Sequence, residues 1–139
     1  MANATNFLET SVMDHILRFP TFSKPTNIAI GLTQNNPTSG QGVTYNEIGN
    51  GNGYARVPGA SGNAFWSQHV VDGPMGNLSV ISFDQATGDW GYVSGVIIAD
   101  SPTYSGGNIL FAGPLTTPRV VQNGDTFQFA ISGITITSD

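Results

Sequence analysis

From Asp89 to Phe111 (DWGYVSGVIIADSPTYSGGNILF), two groups of large apolar residues flank a centre rich in Gly, Ser and Pro. Trp90, Tyr92, Ile97 and Ile98 precede Asp100 and the pair Gly106–Gly107; Ile109, Leu110 and Phe111 follow. β-branched and aromatic runs on either side of turn residues predict two strands and a connecting turn. We take this as the central hairpin of a β-sandwich. Upstream, Leu8, Val12, Ile16 and Phe19 recur at helical spacing, and Met13 and Leu17 widen the stripe. Asn6, answered by Glu9 three residues on, is the expected cap, and Pro20 the stop. So short a helix is marginal alone. Its apolar stripe is therefore expected either to plug an open end of the sandwich or to pack on a partner subunit.

The remaining pattern is of strands. Ile28, Ile30 and Leu32 alternate with small and polar residues over 27–33, as in a half-buried strand. The Gly- and Asn-rich segment from Val43 to Gly53 suggests a long surface loop. A short strand at Tyr54–Val57 is stopped by Pro58. A segment beginning at Ala64-Phe65-Trp66 runs to Val70-Val71, and a strand follows at Leu78–Phe83. After the hairpin, Ala112-Gly113-Pro114 is expected to break the chain before a short strand at Arg119–Val121. Phe127, Phe129 and Ile131 alternate, as do Ile134 and Ile136. About eight strands with turns at intervals of about ten residues predict an all-β fold, a jelly-roll-like β-sandwich with one N-terminal helix. The division expected is a helix over 1–20 and one sandwich domain over 21–139.

Composition narrows the possible partners. Only 9% of the 139 residues are charged, against about 25% ordinarily. An uncharged polar surface rich in Gly (18 residues) suits tight turns and close neighbours in an assembly. The net charge is −5, and the four cations, Arg18, Lys24, Arg56 and Arg119, are dispersed. Binding to nucleic acid or to an anionic membrane needs clustered basic residues, so neither partner is expected. There is no cysteine for a disulfide or thiolate site. The sequence MANATNFLET lacks a signal-peptide pattern, and no run of about 18 apolar residues exists. A product made soluble in a cytoplasm is expected.

Candidate chemistry is sparse. His15 lies beside Asp14 on the polar side of the helix. His69 stands among Ser67, Gln68 and Asp72, but no G-x-S-x-G supplies the nucleophile that such a triad requires. Glu47, Asp84 and Asp89 do not form the paired carboxylates of a glycosidase by any spacing. The calcium-loop pattern is absent, and zinc lacks ligands. A loose G-x-G at Gly51 and Gly53 has no strand–helix context. Asp89 and Asp100 flank strands, where short acids bond turn backbone. No active site and no cofactor are expected. Aromatic residues in or beside loops offer a different function: Tyr45, Trp66 and Tyr104, with Tyr54, could stack on a sugar as in a carbohydrate-binding module.

The order of motifs adds a resemblance. A helix with Leu8 and Asp14-His15-Ile16-Leu17 is followed by IAIGLT (28–33) and YARV (54–57). Then come Trp90-Gly91 with Val93, Asp100, GGNIL (106–110), GPL (113–115) and NGDTF (123–127). This series, spread over nearly the whole chain, resembles tailed-bacteriophage virion proteins labelled tail-fibre-like. The resemblance implies a β-rich, typically trimeric structural component of the virion, without catalytic residues, assembled in the bacterial cytoplasm. Lacking a repetitive shaft, the chain is expected to be a trimeric head-decoration (cement) protein contacting the major capsid protein. The alternatives are a tail fibre or tail adaptor contacting other tail proteins, and a host-glycan binder. Leu8, Val12, Ile16 and Phe19 are the expected interface.

Overall fold

The computed structural model of the chain describes residues 2–37, 45–68 and 73–137. Within them a six-stranded sheet and a two-stranded sheet enclose one main core. In chain order the elements are β1 (Ala2–Ala4), α1 (Asn6–Leu17), β2 (Ala29–Thr33), β3 (Met75–Gly76) and β4 (Ile81–Ser82). These are followed by β5 (Gly91–Ala99), β6 (Ile109–Val121), β7 (Gln128–Phe129) and β8 (Thr135–Thr137). The large sheet runs β2-β5-β6-β1-β8-β3, and β4 pairs with β7. Neighbours are antiparallel except β1 and β8, which are parallel. The chain is thus an all-β, sandwich-like fold with one N-terminal helix, as the pattern predicts.

The hairpin expected at 89–111 forms, with Ile98 opposite Phe111 and Ile97 opposite Ala112. Its turn is shaped by Asp100: Oδ1 accepts from the Asn108 backbone N–H at 2.7 Å and Oδ2 from the Asn108 amide at 3.1 Å. Gly107 takes a positive φ of 72° there, where a Cβ would strike the Asp100 carboxylate at 2.5 Å. Side chains of β5 alternate between two cores. Val96 and Ile98 join Ile30, Leu32 and the aromatic cluster; Ile97 and Ala99 join Ile109 and Ala112 under Tyr45. The aromatic cluster fills the space between the sheets. Tyr54 meets Trp90 edge-on at 5.4 Å between centroids, and Phe127 meets Phe129 at 5.1 Å. Such pairs contribute beyond the area they bury.

Four expectations need correction. The helix cap is Thr5, whose hydroxyl accepts from the Leu8 N–H at 3.4 Å, and Asn6 is already helical. Before it, residues 2–4 form a strand inside the large sheet, between β6 and β8. Pro114 does not break the chain. β6 passes through it for 13 residues, because Pro114 falls opposite Gly95 at a register shift, where a missing N–H is tolerated. Finally, β2 is buried at all five residues rather than on one face. The segment expected to be a surface loop folds against it. Leu32 C=O accepts from the Ile48 N–H at 3.0 Å, and Ile30 exchanges two bonds of 2.9 Å with Val57. Between these, Leu32 N–H donates to the Tyr54 hydroxyl at 3.0 Å. The outer edge of β2, a potential pairing template, is closed by its own chain.

Candidate interaction surface

Helix α1 springs from the middle of the large sheet. Thr5 fixes its start: its N–H donates to Leu110 C=O at 2.9 Å, and its hydroxyl donates to Ile109 C=O at 2.6 Å. After Leu17 the chain doubles back. The Phe22 N–H donates to His15 Nδ1 at 3.2 Å, and the Phe7 and Phe22 rings meet edge-on at 6.5 Å. The returning segment covers one flank and leaves the other bare. No residue of the helix is buried, so within one copy its apolar stripe is not enclosed by the sandwich. Met13, Ile16 and Leu17 are 57%, 68% and 72% exposed, and Phe19 is fully so at 101%. Of the residues the periodicity singles out, Val12, Ile16 and Phe19 are exposed, while Leu8 is half-buried. Monomeric proteins rarely expose a contiguous apolar patch beyond a few hundred Å2.

Tyr45 and Tyr104 lie around a buried polar cluster that the residue pattern does not reveal. Arg56 Nε and Nη2 donate to the two Glu47 carboxylate oxygens at 2.8 and 2.9 Å. Arg56 Nη1 donates to the Ser101 and Gly106 carbonyls at 2.8 and 2.9 Å. Glu47 also accepts from the Tyr54 hydroxyl at 2.7 Å and the Ser105 N–H at 2.9 Å. Gly31 leaves room for this: a Cβ there would press on the Tyr54 hydroxyl at 3.0 Å and the Glu47 carboxylate at 3.1 Å. Burial, then the Glu47 charge, hold the Tyr54 phenol protonated far above its usual range. Burial alone would lower Arg56, but its bonds to Glu47 outweigh that and leave it raised. Every strong donor and acceptor of the cluster is occupied within the fold. It clamps the 101–106 turn, from which Tyr104 projects with its ring against Tyr54 at 6.3 Å.

Trp66 has different neighbours. Its indole N–H donates to Ala60 C=O at 2.9 Å, its ring tilts on Phe65 at 5.0 Å, and its backbone bridges Asn77. It borders two depressions. A wide groove of mixed character, about 700 Å3, is lined by Lys24, Asn63 and Gln68 together with Met75 and Leu78. A smaller one of about 180 Å3 is almost wholly apolar, formed by Ile28, Ala60, Trp66, Met75, Phe111 and Ile136 among others. The three aromatics offered as sugar contacts therefore divide, two beside the Glu47–Arg56 pair and one at this groove. His69 and Asp72, of the Ser–His–Asp arrangement, and Val70-Val71 lie outside the described residues. His15 is an acceptor for the helix return. Asp89 accepts from the Asn123 N–H at 2.9 Å, tying the start of β5 to the turn 34 positions on. Among the described residues no three His, Cys, Asp or Glu side chains gather as a metal site would require.

Compared with known proteins, the chain matches one family model, described as Podophage GP4 fiber I protein gp80, over residues 3–137. No curated protein matches it. The matched span runs from β1 to the last residue of β8, so it takes in the hairpin, the helix and both sheets. The chain belongs to the Podophage GP4 fiber I protein gp80 family, the fibre-type structural proteins of tailed-phage virions.

Proposed function

We propose that this protein is a tail-fibre subunit that works as a homotrimer, joining its neighbours through the apolar face of α1. The observation that supports a place on the tail, rather than on the outside of the capsid, is the match to a fibre family along 3–137. The bare helix face supports association between copies, and three is the number the fibre-like reading brings with it. From their exposures and roughly 200 Å2 per large apolar side chain, Met13, Ile16, Leu17 and Phe19 offer roughly 600 Å2. A stable interface takes about 800 Å2 from each partner, so the helix face provides most of one side. Its mechanism is mechanical: apolar area buried between rigid copies holds them in register, with no chemical step. The test is to label the protein in purified virions and image them, and to weigh the free protein by sedimentation equilibrium at micromolar concentration. Label on the tail and a threefold mass are expected. Label covering the head would return the protein to the decoration role, and a monomer would end the homotrimer reading.

A further inference from the structure

We infer that Phe19 of one copy seats in the apolar groove lined by Ile28, Trp66, Met75 and Phe111 of the next, so that contacts between copies are head-to-tail. This rests on the homotrimer reading and specifies its contact. Knob and hole occur on the same chain, but the knob is not seated in its own hole. Phe19 stands fully exposed just beyond the end of α1. The groove lies where the main core is incompletely closed: Ile28, Trp66, Met75 and Phe111 are all only partly buried against it. At about 180 Å3 it suits a phenyl ring, since an apolar cavity of about 150 Å3 takes up benzene and otherwise stays dry. The polar end of Trp66 is already satisfied by Ala60, so apart from Ser61 at its rim the groove offers an entering ring almost wholly apolar surface.

The chain does not serve its own groove in this arrangement. The Phe22–His15 hydrogen bond and the Phe7–Phe22 contact hold the return segment against the helix and leave Phe19 facing solvent. A contact between two different patches of the same molecule generates a ring when its rotation closes, and three copies so joined would bury three Phe19 rings. The helices would then not need to pair with one another.

Cysteine cross-linking distinguishes these arrangements, since the chain has no cysteine of its own. Thr21 lies two residues beyond Phe19, and Ser61 is on the groove lining; both are exposed. Chains carrying Thr21→Cys and chains carrying Ser61→Cys are mixed and treated with a short bismaleimide. Cross-links joining position 21 of one chain to position 61 of another are expected. Phe19→Ala, which touches nothing in the core, is expected to weaken association at least about tenfold, the loss of one buried aromatic ring. A trimer that yields only 21–21 cross-links, or whose affinity is unchanged by Phe19→Ala, overturns the inference and leaves the homotrimer standing. A chain with both cysteines that cross-links within itself at high dilution also overturns it. A monomer at all concentrations removes both.

Discussion

Glu47 and Arg56 are nine positions apart, and folding takes both side chains out of water. Removing two charges from water costs several kcal/mol per ion, which their attraction offsets only with good geometry and every remaining donor and acceptor bonded. Here Tyr54, Ser101, Ser105 and Gly106 complete the set. Glu47→Ala should therefore cost about 3–5 kcal/mol in denaturant unfolding, because it strands a buried guanidinium. Adding Arg56→Ala should cost clearly less than the sum of the two single changes, as expected for residues in contact. Tyr54 sets a second expectation. Its phenol is raised from an ordinary 10.0, so above pH 10 the unfolded chain releases a proton that the folded one keeps. Stability is then fully present below that pH and falls above it, by up to about 1.4 kcal/mol per pH unit. Tyr54→Phe should start less stable but lose that part of the alkaline slope, measured by unfolding at pH 9 to 11. The residue pattern gives little hint of this cluster. Glu47 stands in a Gly- and Asn-rich stretch, and such residues report the turns a backbone must make, not whether the stretch is exposed.

Helix α1 was legible from its i, i+4 stripe and Pro20, which are local signals. Its exact start was less so, since Thr5, Asn6 and Glu9 all carry capping side chains and only the sheet decides among them. Thr5→Val keeps the shape and removes both hydroxyl bonds, to Leu8 and to Ile109. It should cost about 1–2 kcal/mol, the upper part of the range for a lost cap, with a smaller far-ultraviolet helical signal. The hairpin was equally legible, but not its length. A proline signals a strand end only if the partner strand demands its N–H; Pro114 instead falls opposite Gly95 at a shift in register, a place where the ladder tolerates proline. Gly95 in turn cannot be replaced cheaply, because a Cβ would run into Pro37 and Thr33. Gly95→Ala should destabilise by about 1–3 kcal/mol through overpacking, read as a lowered denaturation midpoint.

At the scale of the molecule, the all-β class followed from short apolar runs at regular intervals, and the broad class of fibre-type virion protein from the order of motifs along the chain. The topology did not, because Ala2-Asn3-Ala4 has neither apolar period nor β-branched residue to announce a strand. Assembly through apolar surface also has a solution signature. With 9% charged residues, association between copies should hold or tighten when salt rises from about 0.1 to about 1 M, which cuts the screening length from about 10 to about 3 Å; sedimentation at the two salts would register it. The three-residue strand β1 has a consequence in time. Asn3 pairs with Ala112 on one side and Thr137 on the other, so the sheet is sutured by residues more than a hundred positions apart. Contacts that distant form late and slowly, and the last of them wait until residue 137 has left the ribosome. Because α1 is anchored through Thr5 to Ile109 and Leu110 at the start of β6, its apolar face has no fixed direction until that strand has been made. A helix this short is marginal alone, so in the nascent chain the apolar face proposed to join copies is not yet formed, and it exists only once the sheet holds it.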